Sequence, residues 1–211
     1  MTGVFIAIEG IDGSGKSSVA RKLATALRVA GNVVVLTREP GGTEAGTHIR
    51  ALLLDTNRSV CPKTELLLMC ADRAEHVTKV IVPALKAGSI VICDRFADST
   101  RAYQGYGLGL NQNLVDDAIE IATGGLTPDL VLLLDLDPLS ANARREGDFA
   151  NLNALDGRDL AYRSRVRQGY LEIAGESASW HVIDASMSLD DVFARVLELA
   201  ETAIASKHAP R

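Results

Sequence analysis

A glycine-rich stretch that follows a short apolar run constrains this chain more than any other feature. The stretch is GIDGSGKSS, the run before it is VFIAIE, and behind it Val19, Leu23 and Leu27 recur at helical spacing. Because glycine packs nothing and costs conformational entropy, so many glycines at one point indicate a backbone that holds something closely. The sequence therefore predicts a strand, a tight loop and a helix, in that order.

The residues of this loop fit the pattern G-x-x-x-x-G-K-[ST], which binds phosphates between a strand and a helix. Backbone N–H groups converge on phosphate oxygens in such a loop, helped by the positive end of the following helix. The lysine reaches the outer phosphates, and the serine hydroxyl is placed to bind Mg²⁺. We expect the loop to bind a triphosphate through Gly10, Ile11, Asp12, Gly13, Ser14, Gly15, Lys16 and Ser17.

Short apolar runs alternate with helix-length segments along the whole chain. The predicted strands are residues 4–9, 33–37, 89–93, 129–135 and 181–184, each rich in Val, Ile or Leu without strict polar alternation. Further helices are predicted at residues 43–54, 63–76, 78–87, 111–123, 159–174 and 189–205. This order predicts an α/β fold in which a five-stranded parallel sheet carries helices on both faces. We expect a single domain spanning residues 1–211.

Composition narrows the classes of function. The net charge of −5 disfavours a nucleic-acid polymer as partner, although the ratio of 16 arginines to 6 lysines hints at small phosphorylated ligands. Apolar runs are too short for a membrane span or a secretion signal. Cys61, Cys70 and Cys93 show neither metal-ligand spacing nor a disulfide framework, which indicates reduced thiols and a cytoplasmic protein.

A second set of charged residues follows the next two predicted strands. Arg38 of TREPGGT ends the second strand, and Asp94 and Arg95 of DRFADSTRAYQG end the third. Ligands of open parallel sheets bind outside these carboxyl ends, so two phosphorylated substrates are expected to face each other there. The chain lacks the Asn-Lys-x-Asp motif by which switch GTPases read guanine. A kinase is therefore favoured over a switch.

Five segments together resemble bacterial thymidylate kinases, a family of P-loop nucleoside monophosphate kinases. They are EGIDGSGKSS, REPGGT followed by IR, LLLMCADRAEH, DRFADSTRAYQG and TPDLVLLLDLD. The resemblance covers essentially the whole chain and implies transfer of the ATP γ-phosphate to dTMP, with Mg²⁺, in a homodimer. The attacking phosphate oxygen is already anionic at neutral pH, so no general base is expected. His48 and His76 are accordingly expected to be ordinary residues of helix surfaces.

The resemblance also implies roles for individual residues. Arg38, Arg50 and Arg95 would hold the acceptor phosphate, Asp94 would act through Mg²⁺ or its waters, and Asp12 would lie beside the transferring phosphate or a sugar hydroxyl. Residues similar to those that read the thymine edge are Arg73, Thr100 and Gln104. Tyr103 resembles the ring that crowds a ribose 2′-hydroxyl and so favours deoxyribose. Arg50, Arg73 and Tyr103 could instead be structural, as a surface charge, a salt-bridge partner and a core aromatic. Asp12 could merely cap the following helix.

The chain departs from the family pattern in three places. Met69 stands where relatives carry a phenylalanine that stacks on thymine, Phe96 replaces a usual tyrosine, and Ala154 replaces an arginine. The segment 144–167 holds six arginines and four acidic residues and is expected to form a mobile, arginine-rich flap, with the lid proper at about 144–158. Arg144, Arg145 and Arg158 are the candidates for its catalytic cation.

Two alternatives stay open at this point. A nucleotide-regulated binding protein with a degraded kinase site would explain Met69 and the altered flap, whereas the intact Lys16, Ser17 and Asp94 oppose it. A kinase for another nucleotide would share the phosphate-binding loop but not the combination of REPGG with DRFADSTRAYQG.

Overall fold

The computed structural model describes residues 1–55, 60–145 and 159–208. Five parallel strands form one sheet in the order β2-β3-β1-β4-β5. Their bounds are β1 Val4–Glu9, β2 Val34–Arg38, β3 Ile90–Asp94, β4 Leu130–Asp135 and β5 Trp180–Asp184. The fold class predicted from the sequence is confirmed, with the first strand at its predicted bounds and the others shifted by about one residue at one or both ends.

The helices lie between and after these strands. They are α1 Lys16–Val29, α2 Glu44–Leu54, α3 Pro62–His76, α4 Val82–Lys86, α5 Ala97–Thr100, α6 Gln112–Thr123, α7 Pro138–Arg145, α8 Leu160–Ala174 and α9 Leu189–His208. Two wider helical turns of π type, Val77–Ile81 and Arg101–Gly107, continue α3 into α4 and extend α5. The sequence analysis missed α7 and the helical segment that begins with α5.

The core occupies both faces of the sheet. On the central strand β1, Val4, Ile6 and Ile8 pack with α1, α8 and α9, while Phe5 and Ala7 pack with α3, α4 and α6. All six residues of β1 are buried, as expected for a parallel strand covered on both sides. No helix in the described ranges is both long and apolar enough to cross a membrane.

The described parts of the predicted flap are helical apart from Asp159, which caps α8. Arg144 and Arg145 end α7, and residues 160–167 form the first half of α8, with Tyr162 and Val166 buried. The expectation that the flap extends to residue 167 is therefore wrong for that second part, which is packed against the core. Residues 146–158, which include Ala154 and Arg158, lie outside the described residues.

Helix α1 allows a matched test of core packing. Leu23 is fully buried against the sheet, whereas Val29 at the end of the same helix is 85% exposed. Leu23→Ala removes buried methyl groups and leaves a cavity, so it should lower the free energy of unfolding by about 2–5 kcal/mol. Val29→Ala should change it by less than about 0.5 kcal/mol. Urea denaturation followed by circular dichroism measures both, and equal effects would contradict the packing described here.

Candidate active site

The phosphate-binding loop leads from β1 into α1 with a backbone that glycine alone adopts easily. Gly10, Gly13 and Gly15 have φ angles of 140°, 90° and 96°. A Cβ atom at Gly13 would lie 2.5 Å from the backbone oxygen of Ala141, so a side chain has no room there. Gly15 caps α1 without any side-chain hydrogen bond, which leaves the first N–H groups of the helix available to an anion.

The predicted lysine lies inside this loop. Lys16 is buried, and its Nζ donates a hydrogen bond of 2.7 Å to the backbone oxygen of Ile11. Burial, and then repulsion from Arg95, lower the pKa of Lys16 to about 8. The ammonium is therefore charged at neutral pH, and a carbonyl partner leaves that charge available to phosphate.

Two side-chain oxygens that could bind a metal ion face each other beside the loop. Ser17 Oγ donates a hydrogen bond to Asp94 Oδ2, bringing the start of α1 to the end of β3. A hydroxyl and a carboxylate are hard oxygen ligands of the kind that Mg²⁺ takes together with water and phosphate. This pair fits the predicted magnesium site.

Arg95 follows β3 and is the most connected side chain of the site. It adopts a left-handed backbone with φ of 75°. Its Nη2 donates to Asp12 Oδ1 at 2.6 Å and to the Tyr103 hydroxyl at 2.8 Å, and its Nη1 donates to the backbone oxygen of Gly10 at 3.0 Å. Its guanidinium also lies 4.7 Å from the ring centroid of Tyr103. Arg95 thus joins the phosphate-binding loop to the segment that follows β3.

A buried carboxylate supports Arg95 from below. Glu9 accepts hydrogen bonds from the Ser99 hydroxyl at 2.6 Å and the Tyr170 hydroxyl at 2.9 Å, and Arg95 Nη1 donates to both of these hydroxyls. The backbone N–H of Phe96 donates to Glu9 as well, at 2.7 Å. Burial, and then the charge of Asp98, raise the pKa of Glu9 to about 7.

A cavity of about 390 Å³ lies over the loop. Its lining includes Lys16, Ser17 and Asp94 together with four arginines, Arg38, Arg50, Arg95 and Arg144. Arg50 Nη1 donates to the backbone oxygen of Pro40 at 3.0 Å, and burial, followed by the charge of Arg38, lowers the pKa of its guanidinium. So many cations around one cavity suit a polyanion.

An adjoining pocket of about 100 Å³ has a different character. Its lining combines apolar and hydrogen-bonding side chains, among them Leu54, Met69, Arg73, Thr100, Tyr103 and Gln104. Asp12, Arg50 and Arg95 line this pocket and the larger cavity alike. The structure thus brings the predicted substrate residues together and places them next to the phosphate-binding loop.

Within this pocket Arg73 is held on three sides. Its Nε donates to Glu39 Oε2 at 2.8 Å, its Nη1 to the Thr100 hydroxyl at 2.9 Å and its Nη2 to the backbone oxygen of Phe96 at 2.9 Å. The side chain is 2% exposed. Gln104 is likewise fixed, since its Nε2 donates to Glu65 Oε1 at 2.8 Å.

The expectation for His76 was wrong. His48 is exposed on α2 as expected, but His76 is completely buried, with its ring bonded to Glu39 and Thr37. A polar ring can be buried there because carboxylate and hydroxyl partners satisfy both of its nitrogens.

Sequence reasoning also missed Glu9, Glu39 and Tyr170 as parts of the site. Glu9 is the last residue of β1, and Glu39 lies in the motif TREPGGT. An acidic residue next to a buried apolar run was the signal that could have identified them as parts of the site. Tyr170 lies in α8, far along the chain, and carried no signal.

The candidate flap cations are only partly described. Arg144 lines the larger cavity, and its Nη2 donates to the backbone oxygen of Ala185 at 2.8 Å. Arg158 lies outside the described residues, and of Arg145 only the helical backbone is described.

The raised pKa of Glu9 predicts a pH dependence of stability. A carboxyl group whose pKa rises from 4.5 in the unfolded chain to about 7 on folding binds its proton more tightly in the native state. Its contribution to the free energy of unfolding therefore falls as pH rises from 4.5 to 7, by about 3 kcal/mol in all. Glu9→Gln removes this titration, so the variant should gain stability relative to the parent over that range.

Urea unfolding of both proteins between pH 4.5 and 8 measures this difference. Glu44→Gln, which removes an exposed carboxylate in the first turn of α2, controls for the change in net charge. A difference between Glu9→Gln and the parent that stays constant with pH would show that Glu9 is ionised throughout.

Comparison with known proteins agrees with this geometry. The family model described as thymidylate kinase matches residues 8–196. A thymidylate kinase of Nitratidesulfovibrio vulgaris (strain DP4) is 43% identical over 209 residues, which cover 95% of this chain and 93% of the relative. A thymidylate kinase of Desulfovibrio desulfuricans is 46% identical over 90% of this chain and 91% of the relative. A thymidylate kinase of Nostoc sp. is 43% identical over 94% of this chain and 96% of the relative. With the family model matching most of its length, the chain belongs to the thymidylate kinase family.

Proposed function

We propose that this protein transfers the γ-phosphate of ATP to dTMP, giving dTDP for the synthesis of dTTP. The observation that carries the proposal is the shared wall of the two cavities. Asp12, Arg50 and Arg95 line both the cavity over the phosphate-binding loop and the pocket for a nucleoside. A donor triphosphate in one and an acceptor nucleotide in the other would meet phosphate to phosphate at these side chains.

The chemical obstacle to such a transfer is repulsion between two polyanions. The acceptor phosphate has a second pKa near 6, so its oxygen attacks the γ-phosphorus without loss of a proton in the step. The γ-phosphoryl group moves to that oxygen as the bond to the β-phosphate oxygen breaks, and ADP leaves with the electron pair. Catalysis then depends on positioning and on cations.

The cations divide between the two phosphates. Lys16 and the loop N–H groups hold the β- and γ-phosphates of ATP, while Arg38, Arg50 and Arg95 hold the acceptor phosphate. Ser17 and Asp94 would hold Mg²⁺, which when bound neutralises charge on the donor phosphates. Arg50 and Arg95 also line the adjoining nucleoside pocket, which supports their assignment to the acceptor phosphate.

The nucleoside pocket supports a thymine base. Arg73 uses three of its five N–H groups within the protein and keeps donors for the O4 oxygen of thymine. Thr100, Gln104, Met69 and Tyr103 line the same pocket. Met69 would cover the base by apolar contact, and Tyr103 would crowd a ribose 2′-hydroxyl. Asp12, bonded to Arg95, would contact the sugar or the transferring phosphate.

Other parts of the assignment rest on resemblance. We propose one catalytic domain whose lid, about residues 144–158, brings Arg144, Arg145 or Arg158 to the transition state. Arg144 already lines the phosphate cavity. A homodimer in the cytoplasm, where ATP and dTMP are available, completes the proposal.

Two lysines of α1 give a matched test of the loop. Lys16→Ala removes the ammonium inside the phosphate-binding loop and should lower kcat by at least about 100-fold, because a preorganised charge is lost from the reacting centre. Lys22→Ala removes a surface lysine paired with Asp190 and should leave turnover unchanged. Release of ADP in a coupled assay measures both, and near-parental turnover of Lys16→Ala would exclude its role in phosphoryl transfer.

The base is tested with a panel of nucleoside monophosphates. Cytosine presents an amino donor where thymine presents O4, so Arg73 should favour dTMP over dCMP by about ten- to a hundredfold in kcat/KM. Arg73→Ala should narrow this gap. Equal turnover of both nucleotides by the parent enzyme would leave a kinase of other specificity, and no turnover of any would favour a nucleotide-regulated binding protein.

A further inference from the structure

A row of four side chains, three of them buried and the first, Thr37, half-buried, leads from the sheet to the base pocket. Thr37 Oγ1 lies 2.6 Å from His76 Nε2, His76 Nδ1 lies 2.9 Å from Glu39 Oε1, and Glu39 Oε2 lies 2.8 Å from Arg73 Nε. Of these four residues, Glu39 and Arg73 line the nucleoside pocket. His76 is completely buried behind Glu39, so it would not touch the nucleotide, whereas Thr37 lines a separate cavity that also includes Ser17 and Asp94.

The carboxylate fixes the direction of the central hydrogen bond of this row. A carboxylate only accepts, so the ring donates from Nδ1 to Glu39, while Nε2 is paired with the Thr37 hydroxyl, which can donate or accept. One oxygen of Glu39 is then occupied by His76 and the other by Arg73. These two partners prevent the Glu39 carboxylate from rotating about its Cγ–Cδ bond.

Packing fixes the ring as firmly as the hydrogen bonds do. His76 is fully buried, and a Cβ atom on Gly42 would lie 2.5 Å from its Cδ2 and Nε2 atoms. The ring therefore rests directly against the backbone of the segment that carries Glu39. His76 and Arg73 both lie in the last turn of α3, so one helix end supplies the base-facing cation and the group that orients its counter-ion.

A metal centre is the competing interpretation of this cluster. The ligand atoms of Glu39, His76 and Cys93 lie within 4.8 Å of one another. Both Glu39 oxygens and both His76 nitrogens are already engaged in hydrogen bonds, however, and Arg73 places a cation against Glu39. A dication would have to break these bonds beside a buried guanidinium, so the hydrogen-bonded row is favoured.

We infer that His76 is a positioning residue for base recognition: it holds Glu39 so that the guanidinium of Arg73 points its free N–H groups at the base. The inference rests on the proposed function and deepens it. Without the hydrogen bond from His76, the Glu39 carboxylate could rotate. The guanidinium of Arg73 would then shift with it, because Glu39 is the only carboxylate bonded to Arg73 among the described contacts. The consequence is weaker binding of dTMP and weaker discrimination against dCMP, with ATP binding unaffected.

Two amide substitutions separate this role from a merely structural one. His76→Asn places an amide N–H near the position of Nδ1 and keeps the bond to Glu39, whereas His76→Gln reaches the position of Nε2 and keeps the bond to Thr37. His76→Gln should raise the KM for dTMP by about tenfold and lower the dTMP to dCMP preference by a similar factor, the worth of one buried hydrogen bond. His76→Asn should stay within about threefold of the parent in both.

The controls keep the test decisive. His48→Asn changes an exposed histidine and should be silent, and the KM for ATP should not change in any variant. Thr37→Val is a milder change that preserves shape, and it should raise the KM for dTMP about threefold because the ring loses the hydrogen-bond partner of its Nε2 atom. Thr78→Val, on an exposed hydroxyl bonded within its own helical turn, is its control.

Calorimetric titration with dTMP makes the inference independent of turnover. Parental turnover of dTMP tests the proposed function, whereas the order of dTMP affinity, parent and His76→Asn above His76→Gln, tests the positioning role. Equal losses in the two His76 variants, or parental selectivity in His76→Gln, would overturn the inference while leaving the kinase assignment in place.

Discussion

The guanidinium of Arg95 fixes the two halves of the site relative to each other. It donates to the phosphate-binding loop at Gly10 and Asp12 and to Tyr103 in the segment behind β3. Its left-handed backbone costs about 1–3 kcal/mol and persists only where the surroundings over-determine it. The strand must turn sharply at this residue for the side chain to reach back under the loop. The hydrogen bonds of the guanidinium therefore stabilise the strained backbone of Arg95 and fix the distance between the two cavities.

Charge is distributed around this anchor in a systematic way. The arginines that position other groups are balanced by carboxylates, Arg95 by Asp12 and Arg73 by Glu39. Lys16 and Arg50 instead bond to backbone oxygens, which leaves their full charge directed at the cavity. A buried ion pair orients a side chain, whereas a cation on a carbonyl still attracts an anion. Among the cations expected to bind phosphate, Lys16 and Arg50 have no carboxylate partner in the described contacts, whereas Arg95 is held by Asp12.

Sequence reasoning reached the fold and the phosphate-binding loop because both depend on local patterns. A strand buried on both faces is predicted from consecutive apolar residues, and the loop is predicted from its glycines and lysine. The buried cluster behind the base was out of reach for the same reason. Glu39 and His76 lie 37 residues apart, and nothing near His76 in the sequence distinguishes a buried ring from an exposed one. Departures from ideal helices, such as the π turn at Arg101–Gly107, arise from tertiary packing and left no periodic signal.

The strand order explains why residues so distant in sequence converge. Strand β3 lies between β1 and β2, and Asp94 pairs in register with Ile8 on one side and Arg38 on the other. The end of β3 therefore lies between the phosphate-binding loop and the arginine that follows the second strand. A carboxylate at that position can reach Ser17 at the start of α1, and the next residue can turn beneath the loop. Because a parallel sheet aligns all its carboxyl ends at one edge, exchanging β2 and β3 would separate these groups by a strand width of about 4.8 Å. The site is thus a consequence of topology first and of side-chain chemistry second.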